Sequence, residues 1–411
     1  MIKENISIFR SMINICQTTK YYRKPIHLNN TFTNIASVRA LKVFGYRQKK
    51  FMHMAKLTFD NNGHLFFTSL KKSVDQYFKT AQLKRTGNWK LYSKTLVLIP
   101  TALVIYVVLL TASLPVWVAL VLCGMLGLVL SSIGFNVMHD ACHGSYSSKK
   151  WVNNVLGLTL NALGANAFFW KQKHNILHHT YTNIEGLDDD IAQSKLLRQS
   201  PTQQWLPIHR YQHIYLPLAY SLTIFMWVGF RDFVKYFSRK IHNTPLQKMD
   251  AKEHFLFWFS KAMYAFFYVV LPIIAVGFVP WLVGYVTMCV LMGVVLATVF
   301  QLAHAVEGPE FESAGMEDKV IQSEWAAHQI KTTANFSPDN KIIGWYVGGL
   351  NYQVEHHLFP RISHIHYPAL SKIVQQECSK FGLPYHSFPT MGKAIVSHVR
   401  IMKQLGNPQN V

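Results

Sequence analysis

A chain of 411 residues that is 50% hydrophobic and only 15% charged, with a net charge of +21, is too apolar for an ordinary soluble domain, where about a quarter of residues are charged. A mean hydropathy of only +0.11 excludes a protein made solely of membrane spans. Five cysteines without a C-x-x-C pair exclude a disulfide framework or thiolate metal site, which leaves twenty histidines as the residues of chemical interest.

Residues 1–55 form a basic tail rich in Ser, Thr and Asn, with Glu4 as its one acid. Such a composition fits an organelle transit peptide, or an extended start ahead of Met52 or Met54. Residues 1–94 carry 18 Lys/Arg against 3 Asp/Glu. No nucleic-acid recognition motif accompanies this charge, so it reads as a cytoplasmic membrane flank held by the positive-inside rule and anionic lipid. The folded domain is expected over 56–411.

An apolar tract from Leu96 to about Val137 is twice the length that a hydrocarbon core of about 30 Å requires, and Pro115 marks a turn near its middle. It predicts helices at about 95–113 and about 116–137. A second tract, interrupted at Gly277-Phe-Val-Pro280, predicts helices at about 256–277 and about 281–303. The stretch 214–230 sits at the lower limit for a span. Histidine clusters at 139–179 and 304–357 can meet only if an even number of crossings separates them. Segment 214–230, like the weaker stretch 155–170, is therefore expected to be interfacial or re-entrant. The expected fold is an all-α membrane protein with four transmembrane helices in two hairpins and a cytoplasmic helical cap. Lys84, Arg85, Lys90 and Lys94, then Arg231, Lys235, Arg239 and Lys240, flank membrane segments on that side.

The histidines fall into three clusters. His139-Asp-Ala-Cys-His143 follows the second helix; if that helix continues, positions i and i+4 share one face and can share a metal. His174-Asn-Ile-Leu-His178-His179 repeats the spacing and adds an adjacent imidazole. Gln353-Val-Glu-His356-His357 places Gln where a first histidine would stand. Seven imidazoles exceed what one ion takes, so two ions are implied. Ligand type alone does not name the metal, but the lack of thiolates and of an H-E-x-x-H base speaks against a zinc protease. Paired iron using O₂ is the best fit to a histidine-rich site facing lipid.

The stretches HDACHGSY, WKQKHNILHHTYTNIEGLDDDI and GGLNYQVEHHLFPRISHIHY closely resemble the three histidine boxes of the membrane fatty acid desaturases. The Gln-first third box is similar to that of front-end (Δ5/Δ6-type) acyl desaturases, and the likeness covers about residues 60–400. The resemblance implies two irons held by His139, His143, His174, His178, His179, His356 and His357, with a further histidine after the fourth span. His304 fits that role; His328, in WAAHQIKTTANF, is a second candidate. Gln353 is expected to ligate, to bond a metal-bound water or to sit nearby. Asp140, Glu355 and the run Asp188-Asp189-Asp190, Asp190 included, are candidates to orient ligand imidazoles, the run equally readable as a solvated loop. His364 and His366 are expected at the surface or interface. Trp170, Trp345 and Tyr352 are expected to line an acyl channel or to anchor at the interface.

By that resemblance the reaction removes two hydrogens from adjacent methylenes of a fatty acyl chain, carried on CoA, ACP or lipid, with O₂ reduced to water. No H-P-G-G haem motif is present, so the electron donor is expected to be a separate ferredoxin or cytochrome b5, steered by the basic surface. A bacterial inner membrane is the expected location, or an organelle membrane if the tail is a transit peptide. Hydroxylation or ketolation on the same di-iron scaffold is the enzymatic rival. A membrane metal transporter is the rival of another class, and would place ligands within the spans.

Overall fold

The computed structural model describes residues 57–60, 65–191, 195–313 and 320–408; the tail expected over 1–55 lies outside them. Helices dominate, and four are long and apolar enough to cross a membrane: Trp89–Thr111, Val116–His143, Ala251–Val276 and Phe278–Gln301. The first begins earlier than expected because Asn88 caps it, its side chain accepting the Lys90 N–H. Lys94 is consequently inside the helix, and not a flank. Its buried ammonium donates to Asn136 Oδ1 (2.8 Å) and the Trp345 carbonyl (3.2 Å), and lies 3.0 Å from His364 Nε2. A buried cation is tolerated only with its donors so occupied.

The second helix starts directly after Pro115 and runs beyond position 137, through a π-helical turn at Gly134–Met138, to His143. Gly144, at φ +77°, ends it with the left-handed residue that glycine adopts without steric cost. The first helix packs on the second and the third on the fourth; the second and fourth share the most extensive contact. Leu126, Leu130 and Ile133 of the second and Met288, Met292 and Leu296 of the fourth recur at helical spacing in the main core. On the outside, Val104, Val116, Trp117, Ile274 and Val279 are exposed, the pattern of helices bathed in lipid.

The stretch expected at 214–230 belongs to two helices, Pro207–Ser221 and Thr223–Ser238, bent by 63°. Each arm is shorter than the ~20 residues of a straight span. Lys261 of the third apolar helix pins this pair, its Nζ donating to Asp232 Oδ2 (3.0 Å) and to the carbonyls of Val228 (3.0 Å) and Gly164 (2.6 Å). The stretch 155–170 lies within the short helices Lys150–Gly157, Thr159–Ala162 and Ala167–Trp170 and their connections.

A second core supports the third histidine cluster. Helix Phe66–Thr80 buries Phe66, Leu70, Val74 and Phe78, every fourth residue, beside Leu370, Val374 and Cys378 of helix Tyr367–Phe381. Val354 and Leu358 of helix Gln353–Leu358 enter the same core. Each such side chain contributes about 1.5–3 kcal/mol. Four strand pairs, each two or three residues long, are the departures from an all-α fold among the described residues.

Candidate metal centre

The second apolar helix does continue through its first histidine pair. His139 and His143 stand one turn apart on its last segment, with ring centroids 4.7 Å apart. The second cluster departs from the expected α-helical face. Lys171–His178 is π-helical, and i→i+5 bonding brings His174 against His179, their Nε2 atoms 3.3 Å apart. The loop ahead of the third cluster carries Gly348 at φ +60°, where a Cβ would lie 2.5 Å from the Phe135 carbonyl oxygen. Glycine thus lets this loop press against the π-turn that precedes His139.

Two groups of imidazole nitrogens result. Donor atoms of His139, His143, His174 and His356 all lie within 4.8 Å of one another, as do those of His178, His304 and His357; His174, His178 and Asp190 form an overlapping third group. The fourth apolar helix ends just before His304, which brings that residue into the second group. His139 Nε2 is 3.3 Å from His174 Nε2. Imidazole–metal bonds of about 2.1 Å place the nitrogens of one ion about 3–4 Å apart, so these spacings fit shared coordination. His179 joins neither group, but its ring lies 4.6 Å from that of His356 and 4.5 Å from that of His357, between the two.

All eight rings are buried. Several are held from behind at Nδ1: His178 donates to Asp188 (3.0 Å), His357 to Gln329 Oε1 (2.9 Å) and His304 to the Thr332 carbonyl (3.3 Å), while His356 meets the Tyr367 hydroxyl (3.1 Å). An Nδ1–H tautomer fixed in this way leaves the Nε2 lone pair for a metal. The Nε2 atoms of His143, His304, His356 and His357 are buried without a hydrogen-bond partner among the described residues. Such orphans are costly, and a cation at their centre satisfies them. Burial and neighbouring imidazoles hold His174, His179, His356 and His357 well below the usual histidine range, and burial brings His304 to about 3. They are neutral, as ligands must be. At His178 burial opposes the charged form, but Asp188 and Asp190 outweigh it and raise the pKa.

Several other candidates occupy different places. Asp140 orients no ligand imidazole: its Oδ2 accepts from Ser363 Oγ (2.7 Å) and faces His364 Nδ1 (3.1 Å). His364 and His366 are buried, and not at the surface. Glu355 likewise bonds Asn335 (2.8 Å) and Tyr385 (2.7 Å), not a histidine. In the aspartate run, Asp188 is fully buried as the closest carboxylate on His178, with Asp190 Oδ2 at 3.4 Å. His328 stands outside both groups, its Nε2 2.9 Å from the Thr182 carbonyl, which consumes the donor atom. Gln353 is buried and its Nε2 has no partner. Gln329, which sequence reasoning missed, carries no signal beyond lying one residue after His328.

Beside the histidines is a cavity of about 190 Å³ lined by His174 and Trp170 and also by Lys173, Arg231 and Lys235. Trp170 stacks on His174 at 4.3 Å. Trp170, Trp227, Leu296 and Phe300 also line an inner apolar chamber of about 20 Å³. Trp345 and Tyr352 line neither chamber: Trp345 is exposed, and the Tyr352 hydroxyl donates to the Pro338 carbonyl.

The profile of the fatty acid desaturase family matches residues 111–389. The chain is 35% identical over 347 residues to an sn-1 linoleoyl-lipid 6-desaturase of Arthrospira platensis, covering 84% of this chain and 94% of that protein. An sn-1 linoleoyl-lipid 6-desaturase of Synechocystis sp. is 37% identical over 339 residues, covering 82% and 94%. An acyl-lipid (8-3)-desaturase of Physcomitrium patens is 34% identical over 349 residues, covering 83% and 72%. Matched over the stretch that builds both imidazole groups, and along most of its length by these relatives, the chain belongs to the fatty acid desaturase family and is an oxidoreductase of lipid metabolism.

Proposed function

We propose that the protein is an O₂-dependent non-haem di-iron desaturase that places a cis double bond in a lipid-linked acyl chain at a position counted from the carboxyl end. The observation that carries this reading is the meeting of two all-imidazole donor groups, with unpartnered buried Nε2 atoms, beside a cavity with an apolar inner chamber. His139, His143, His174 and His356 would hold one ion and His178, His304 and His357 the other, with His179 between the two groups and Asp190 beside His174 and His178. Iron held there would supply what no side chain can, the activation of O₂ to take hydrogen from unactivated methylenes.

The chain's own residues do the rest. Asp188, Gln329 and Tyr367 fix ring orientation; Trp170 and Phe300 wall the cavity beside His174 and exclude water. The four apolar helices form two hairpins, so both donor groups lie on one face and the bent pair does not cross. That face is cytoplasmic, in a bacterial inner membrane or the equivalent side of an organelle membrane, where a separate ferredoxin or cytochrome b5 delivers electrons.

The test is expression in a host lacking the product, with gas chromatography–mass spectrometry of derivatised acyl chains. A new cis double bond at fixed distance from the carboxyl group, with two irons per chain, is the expected result. A hydroxyl or keto product, or a bond counted from the methyl end, would refute it.

A further inference from the structure

The bent pair is apolar where a cap element should be polar. Ile214, Leu218, Leu222, Met226 and Phe230, every fourth residue across the bend, are all exposed, and Phe237 extends the face. A row of this kind is covered by lipid. Two of its members have a second role: Leu222 and Met226 also line the cavity that reaches His174. Leu222 and Met226 thus belong both to the exposed row and to the cavity wall, which Leu296, Ala297 and Phe300 of the fourth apolar helix share.

The cavity wall also carries ionic side chains. Lys173, Arg231 and Lys235 line it; Lys173 Nζ is 2.6 Å from Asp190 Oδ1 and Lys235 Nζ is 3.3 Å from Asp189 Oδ2. Three cations against these two carboxylates leave an excess of positive charge where the polar part of a lipid would rest.

We propose that the bend at Leu222–Met226 is a lateral portal, through which one acyl chain of a membrane glycerolipid slides from the bilayer to the histidines while its ester and headgroup stay at Lys173 and Lys235. This rests on the desaturase reading for its destination but not for its test. The probe is a phosphatidylglycerol with a diazirine midway along its sn-1 chain, in vesicles holding the full-length protein. Illumination should label Trp170 and Leu296, cavity-lining residues too buried for bulk lipid to touch. Leu222→Trp and Met226→Trp should each cut that labelling at least fivefold. Leu218→Trp, on the same exposed row but outside the cavity, should leave it unchanged. Labelling confined to the exposed row, or equal in all three variants, would overturn the portal. A wild type that labels inside the cavity yet makes no double bond would support the portal and sink the catalytic reading.

Discussion

Replacing Asp188 by Asn isolates the contribution of one carboxylate to the second donor group. Both Asp188 oxygens lie within 3.1 Å of His178 Nδ1, and they also accept the N–H groups of Asn183 (3.0 Å) and Asp190 (2.9 Å). Asn keeps the shape and one acceptor but gives up one of these two backbone bonds, and it removes the charge that raises the His178 pKa. Loss of such an outer partner costs metal affinity about 10–100-fold, or about 1.4–2.8 kcal/mol. The assay is iron per chain by mass spectrometry after dialysis against graded chelator. The chelator concentration that removes the first iron should fall 10–100-fold, while the second iron leaves as in the wild type. Unchanged release of both, in a variant that melts like the wild type, would refute the orienting role.

His304→Ala should lower iron from two per chain to one and abolish desaturation, whereas His328→Ala should keep both irons and lose only about 1–3 kcal/mol of stability; metal analysis with product chromatography separates the two. Lys261→Met strands the buried Asp232 carboxylate and should destabilise the protein by about 3–5 kcal/mol, with partial recovery in the Asp232→Asn double variant, read by thermal unfolding in detergent. Burial lowers the His398 pKa to about 4, its neutral ring lying 2.6 Å from the Ala305 carbonyl and 2.7 Å from the Tyr220 hydroxyl. The unfolded chain then binds the extra proton first, so this contribution is complete above about pH 6.5 and is lost as pH falls towards 4, roughly 3 kcal/mol in all. His398→Asn should flatten that part of the stability–pH curve; equal slopes in both proteins would count against it.

Much of this was legible in the chain. Hydropathy and Pro115 find all four apolar helices, with starts or ends displaced by up to 6 residues, because lipid-facing length is a one-dimensional property. That the box histidines and His304 come together is likewise readable, since each lies just after a helix or in a spaced cluster. What escaped was whatever depends on helical winding or on distant partners. The π-turn at Lys171–His178 re-sorts the second cluster between two donor groups, and a residue count cannot distinguish it from an α-turn. Asp140 and Glu355 neighbour ligand histidines in sequence yet point away, towards Ser363 and His364 in one case and Asn335 and Tyr385 in the other. Gln329 reaches His357 from a segment with no motif to announce it.

That both donor groups join residues before position 180 to residues after 300 has a bearing on biogenesis. A ribosome that has made the first two apolar helices and the second cluster has supplied the five imidazoles of the first two clusters but neither complete group. Neither group is complete until His356 and His357 emerge and the last pair of apolar helices is in place. On the proposed di-iron reading metal loading is a late checkpoint, because a chain truncated after the fourth apolar helix lacks His356 and His357 and completes neither group.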